Sequence, residues 1–268
     1  MAIHFDELLT ELRTIAPREL EEDWDNGGLQ INMGKEHINK ILVCLEITRD
    51  VIKEAVDLGV DYIVTHHPLM FNKIDVVDAN TITGNYIIKL IKHGITVYSA
   101  HTAFDFVFGG NNDYMADLLN LHKVRKLKIW TPFGDKELSG RVGILQEQST
   151  LQEVAALVED ALKLTEPARM VGNPNQKIKI VGLCTGAGGS SIDAAIRNGC
   201  ELFITGDIRH HEAQTAKEMG LCLIDAGHYG TERIFTENFS NKLRKAIGNK
   251  AEIVESNIIV NPFDSMVY

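Results

Sequence analysis

The chain has little of what marks secreted, membrane-spanning or phosphate-backbone-binding proteins. Its four cysteines, Cys44, Cys184, Cys200 and Cys222, are far apart and form no CxxC pair. That excludes a disulfide framework and a thiolate metal site, and leaves reduced residues in or beside apolar runs. Basic residues are outnumbered 27 to 37, a net charge of −10 with neutral histidines, which works against a sequence-independent hold on nucleic acid. The one basic stretch, residues 123–128 (Lys-Val-Arg-Lys-Leu-Lys), is short and reads as a solvated connector. No window approaches the roughly 18 consecutive apolar residues of a membrane span. The opening Met1-Ala2-Ile3-His4-Phe5-Asp6-Glu7 lacks the basic and apolar regions of a signal peptide, so a cytoplasmic protein without a membrane partner is expected. There is also no GxxxxGK[ST] loop; the only glycine-rich candidate for cradling phosphate is Thr185-Gly186-Ala187-Gly188-Gly189-Ser190-Ser191, which a tight strand-to-helix turn explains as well.

What is present is the composition of a soluble globular protein: 268 residues, 44% hydrophobic and 24% charged, enough for two modest domains or one large one. Apolar spacing predicts a helix over 5–15 ended by Pro17, a strand over 41–45, a helix over 50–58 stopped by Gly59, and a strand over 60–65. A helix over 82–93, a strand over 95–100 and a helix over 111–120 follow. Residues 127–145 turn alternating and turn-rich, with a β-like run over 140–145, as a crossover into a second half would. A helix over 151–162, a loop over 167–176, a long helix over 233–247 and strands over 251–254 and 257–260 complete the reading.

The second half restates the first. Residues 55–65 (Ala-Val-Asp-Leu-Gly-Val-Asp-Tyr-Ile-Val-Thr) align with 195–205 (Ala-Ile-Arg-Asn-Gly-Cys-Glu-Leu-Phe-Ile-Thr), and 94–100 with 220–226. A duplicated βαβαβ unit explains both matches. The expected division is a first α/β repeat over 1–125, completed by 236–268, and a second over 126–235.

Chemistry gathers at strand ends, where open α/β sheets build their sites. Thr65-His66-His67-Pro68 closes the strand over 60–65. Adjacent imidazoles point in different directions and can serve two neighbouring metal ions better than they chelate one; the alternative is two ordinary loop histidines. Asp105 lies at the mouth of the following strand, in Ala100-His101-Thr102-Ala103-Phe104-Asp105, with a turn or capping aspartate as its plainer reading. In the second half, Gly227-His228-Tyr229-Gly230-Thr231-Glu232 places a glutamate four residues after a histidine. If the last long helix opens near Thr231, Glu232 sits in its first turn, where a carboxylate is favoured and could bridge two cations. Trp24-Asp25-Asn26-Gly27-Gly28-Leu29-Gln30 reads by itself as a turn before a strand.

Taken together, these motifs, with Gly206-Asp207, His210-His211 and the closing Asn261-Pro262-Phe263, resemble the NGG-one-interacting-factor-three-like family, whose members are often labelled GTP cyclohydrolase I type 2 homologues. The likeness runs almost end to end and matches the short form without an inserted domain. It implies a fold of duplicated three-layer α/β/α units packed face to face with a dinuclear metal site between them. By motif match, His67 and Asp105 would hold one ion, His66 and His228 the other, and Glu232 would bridge both. The resemblance also implies a ring-shaped homohexamer. His101, His210 and His211 match positions near the site; His101 and His210 are the expected proton shuttles.

Nitrogen and oxygen ligands without thiolate suit two divalent ions per chain, drawn from zinc, iron, manganese or nickel. Two such cations about 3.5 to 4 Å apart can hold a water and present it as a nucleophile at neutral pH. The expectation is therefore a metal-dependent hydrolase of a small molecule, a nucleotide or phosphorylated heterocycle. The rival is a metal-stabilised oligomeric scaffold that binds a partner without turnover.

Overall fold

The computed structural model describes residues 2–132 and 134–263. Contacts divide the chain into two compact units: unit 1 runs through Val107 and resumes over Phe235–Pro262, and unit 2 is formed mainly by Phe108–Ile234.

Unit 1 opens with α1 (Phe5–Ile15), whose Leu8 and Leu12 are buried. Then come β1 (Gly28–Ile31), β2 (Lys40–Cys44), α2 (Arg49–Leu58), β3 (Tyr62–Thr65), α3 (Ile82–Lys92), β4 (Thr96–Ser99) and α4 (Thr102–Phe106). Thr48 and Thr81 start α2 and α3 by accepting the amides of Val51 and Gly84. β2, β3 and β4 pair in parallel, and β1 joins β4 antiparallel. Every residue of β3 and β4 is buried, the pattern of strands covered on both faces. On one face, Leu42, Ile63 and Val97 pack with Val51, Ala55, Ile87 and Leu90 of α2 and α3. On the other, Tyr62 lies 6.4 Å from the ring of Phe5 in α1.

Unit 2 holds α5 (Asn111–Leu118), β5 (His122–Thr131), β6 (Gly134–Thr150), α6 (Leu151–Ala161), β7 (Arg169–Val171), β8 (Lys177–Ala187), α7 (Ile192–Arg197), β9 (Leu202–Gly206), α8 (His210–Glu218), β10 (Cys222–Asp225) and α9 (His228–Glu232). Its six-stranded sheet runs β5-β6-β8-β9-β10-β7, with β8, β9 and β10 parallel. α5 and α6 cover one face through Met115, Val154 and Val158, against Val181, Leu202 and Ile224. α7 and α8 cover the other through Ile192, Ala195 and Ala216, against Phe203 and Leu223.

The chain then returns through α10 (Ile234–Ile247) to β11 (Glu252–Glu255), which adds to unit 1 parallel to β2 and completes the order β11-β2-β3-β4-β1.

Four local readings change. Residues 123–128 are not a connector but lie in β5, an outer strand of the unit 2 sheet, where Lys123 and Arg125 are exposed while Lys126 and Leu127 are buried. The loop over 167–176 contains β7. Residues 257–260 form no strand. Glu232 does not open the long helix but ends the separate short helix α9, one turn after His228. Among the described residues, no helix is long and apolar enough to cross a membrane, and all four cysteines are buried and reduced.

Candidate metal centre

In unit 1, β3 delivers His66 and His67 at its C-terminal end, and the backbone there is pinned. The amides of both histidines donate to Leu45 O, at 3.0 and 2.9 Å. Thr65 Oγ1 donates to His67 O and Ser99 Oγ to His66 O. His66 is fully buried. Its Nδ1 lies 3.1 Å from Ala100 O; a carbonyl only accepts, so Nδ1 carries the proton and Nε2 the lone pair. That lone pair faces Asp105 Oδ2 at 3.6 Å. Two acceptors turned toward each other in a buried place call for a cation between them, a proton or a metal.

His101, between β4 and α4, is oriented the same way. Its Nδ1 donates to Asp25 Oδ1 at 2.8 Å, and the Asp25 side chain is wholly buried. Asp25 also accepts from the Thr102 amide at 3.1 Å and from the Thr102 hydroxyl. Burial alone pushes this carboxyl up, but the bonds from His101 and Thr102 outweigh it and leave the pKa at about 2. His66, His67 and His101 each offer one ring nitrogen, all within 4.8 Å of one another, as a group able to hold a metal ion. His67 Nδ1 also has Glu46 Oε2 at 3.6 Å.

In unit 2, α9 carries His228 and Glu232 on one face, one turn apart. His228 Nδ1 lies 2.8 Å from Asp207 Oδ2, and its Nε2 lies 2.9 Å from the buried Glu232 Oε2. The arrangement of His66 is repeated: one ring nitrogen is held by a protein oxygen, and the other is turned to a carboxylate. α9 can come this close because Gly206 has no side chain; a Cβ there would sit 2.5 Å from the His228 amide nitrogen.

The glycine-rich segment at the end of β8 serves this site, not phosphate. Gly186 (φ +69) lies against Glu232, and a Cβ on it would overlap Oε1 and touch His228 Nε2 at 3.4 Å. The Gly186 and Gly188 amides already donate to Thr231 Oγ1 and Thr205 Oγ1, both at 2.9 Å. Glu232 and Glu212 face the loop with the wrong sign for an anion.

His210 and His211 stand exposed on the first turn of α8, ring centroids 5.4 Å apart. His4, His37, His93 and His122 are exposed as well. Sequence reasoning does not single out Asp25, Asp207 or Gly186. The available signal is that each sits one residue from a strand end or turn inside a quoted motif, but a partner distant in sequence gives each its role.

A mixed α/β protein with histidine and carboxylate groups able to hold metal is the class that this fold and these side chains define. Comparison with known proteins places it further: the chain belongs to the Duf34/NIF3 (NGG1p interacting factor 3) family, whose model matches residues 3–262. A Clostridium perfringens protein named GTP cyclohydrolase 1 type 2 homolog is 34% identical over 97% of this chain and 98% of its own length. A Clostridium acetobutylicum protein of the same name is 33% identical over 98% of this chain and 99% of its own. The crystal structure of a Staphylococcus aureus protein superposes with a TM-score of 0.88 at 27% identity, covering 98% of this chain and 99% of that one.

Proposed function

We propose that the chain is a divalent-metal-dependent hydrolase of a nucleotide or a similar phosphorylated heterocycle, with His66, His67, Asp105, His228 and Glu232 holding two ions and Glu232 bridging them. One observation carries the reading. His66 and His228 each have Nδ1 held by a protein oxygen and Nε2 turned to a carboxylate, at 3.6 and 2.9 Å. Imidazoles orient in this way to serve as ligands. Nitrogen and oxygen donors without thiolate fit zinc, iron, manganese or nickel. When bound, such ions lower the pKa of water and supply a nucleophile near neutral pH. The chain's own groups do the rest: Asp25 fixes the His101 ring with its proton on Nδ1, leaving Nε2 to take a proton at the site. His210 is a second proton shuttle. The relatives' name supports GTP or a close analogue as substrate.

The same reading takes the two units as copies of one design. In support, Asp61 Oδ2 accepts the amides of Asn39 and Lys40 ahead of β3, and Glu201 Oε2 accepts those of Lys179 and Ile180 ahead of β9. We assign a homohexamer as the assembly; exposed Ile74, Val76, Val77 and Ile82, close together in sequence, offer apolar surface for it. That surface also favours the second reading, a metal-stabilised scaffold that binds a partner without turnover.

The test is elemental analysis of protein purified without chelator or affinity metal, beside GTP turnover, for wild type, His67→Ala and Glu232→Gln. Two ions per chain and turnover in the wild type, both reduced in the variants, are expected. Less than one ion, unchanged by either substitution, sinks the reading; bound metal with no turnover on nucleotides or phosphoesters favours the scaffold.

A further inference from the structure

Next to the three clustered histidines of unit 1 stand two aromatic side chains that the chemistry above does not use. Trp24 is 59% exposed and Phe71 is 51% exposed. Their ring centroids are 5.8 Å apart at 40°. Each meets the His101 ring edge-on, Trp24 at 5.8 Å and Phe71 at 6.0 Å. His101 in turn lies 5.2 Å from the His66 ring and 5.6 Å from that of His67. One imidazole thus touches both the metal-capable group and the aromatic pair.

Single exposed apolar residues are ordinary. Here, however, the backbone beneath both rings is locked while the rings themselves stay open. Asn26 Nδ2 donates to Met70 O at 2.5 Å, Met70 N donates to Gln30 Oε1 at 3.1 Å, and Gln30 Nε2 donates to Asn26 O at 2.6 Å. The segment before Phe71 is therefore fastened to the segment after Trp24. Asp25, next to Trp24, is fastened to His101 and Thr102. The Trp-Asp-Asn-Gly-Gly-Leu-Gln motif is a positioning cassette: its aspartate aims His101, its amides hold Met70, and its tryptophan is left facing solvent at the site.

We infer that Trp24 and Phe71 are the wall against which this site stacks a planar heteroaromatic ring, with the ring's edge delivered to His101, so that the ring is the part of the substrate selected. The inference rests on the hydrolase reading for what happens to the ring afterwards, but not for its binding. An aliphatic partner would gain from the aromatic faces but leave the imidazole edge without a polar counterpart. A heterocycle satisfies both, since its face stacks and its edge exchanges hydrogen bonds. The ring can arrive on a nucleotide or as a nucleoside, and the test separates these.

The chain has two tryptophans, Trp24 and Trp130, so Trp130→Phe leaves Trp24 as the only indole emitter. Full-length metal-loaded protein in that background is titrated with guanosine and with GTP, and the titration is repeated after chelation. Saturable quenching by both is expected. Phe71→Ala should weaken both by roughly tenfold or more, the scale of losing one stacking partner. Trp24→Leu, followed by calorimetry, should do the same, and Trp24→Tyr should restore most of the affinity. Bound metal should be unchanged in every variant. Binding of GTP but not guanosine would overturn the inference, because phosphate would then be the recognised part. So would quenching by neither ligand, affinity indifferent to both substitutions, or substitutions that change only the particle mass, which would make the pair a contact between copies. Failure of the hydrolase reading is read separately, as wild type without metal or turnover whose ring binding persists.

Discussion

Asp207 holds a left-handed backbone, φ 55, at the end of β9, an uncommon state for a residue with a side chain. Strain of this kind is retained where something depends on it, and here the carboxylate reaches His228 Nδ1 at 2.8 Å. Asp207→Gly should therefore leave the melting temperature unchanged or raise it by the equivalent of up to about 1 kcal/mol, while metal affinity falls by roughly 10 to 100-fold. Asp207→Asn tolerates the same backbone and isolates the charge; it should weaken metal binding without the gain in stability. Equilibrium dialysis beside thermal unfolding separates the two effects. Metal affinity unchanged in both variants would remove Asp207 from the site. Gly186→Ala makes the complementary case. The new methyl meets Glu232 at a positive φ, so a loss of about 1 to 3 kcal/mol is expected in urea unfolding, together with reduced metal retention. These residues were opaque in the sequence because their meaning lies in a partner 21 or 46 positions away. His66 and His67 were legible because both sit at the end of one buried strand.

At the scale of elements, helix and strand existence followed from apolar periodicity, and the buried parallel strands β3, β4, β9 and β10 fell where continuous apolar runs pointed. The misreadings have separate causes. Residues 123–128 carry too many charges for a buried strand, yet an outer strand pairs through its backbone whatever it shows to solvent. The break between α9 and α10 has no glycine or proline to announce it. Asp61 shows an element being placed by a side chain: its carboxylate accepts two amides at the start of β2 and pairs with Lys35 at 2.6 Å. Burial pushes this carboxyl up, but the bonds from Lys35 and Asn39 prevail and hold it below the ordinary value. A carboxyl depressed in the folded state contributes stability above its unfolded pKa, near 3.9, and loses it as pH falls through the folded value. Asp61→Asn should thus cost about 1 kcal/mol in urea unfolding at pH 7, and the difference from wild type should shrink as the pH falls below about 4. A difference that stays constant down to pH 3 would assign the effect to shape rather than charge.

At the scale of the whole molecule, the order of motifs along the chain foretold more than any one residue did, since a family likeness is a property of arrangement. The contact units interleave, with most of α10 and all of β11 returning to unit 1 after Phe108–Ile234 of unit 2. That interleaving sets up the last prediction. The proposed ligands come from both units: His66, His67 and Asp105 from one, His228 and Glu232 from the other. If bound ions draw on both, metal binding is linked to the folding of both, and ligand at a thousandfold excess over its dissociation constant adds about 4 kcal/mol. For a chain of this size that corresponds to a melting temperature higher by roughly 10 °C. Calorimetry of the metal-loaded protein should show one cooperative transition, and the chelated protein should unfold earlier, with the transitions of the two units resolved. His67→Ala and Glu232→Gln, each removing a ligand from a different unit, should both give the chelated profile even with metal present. If one of them loses the metal response and the other keeps it in full, the ions belong to a single unit, and the five residues do not act as one site.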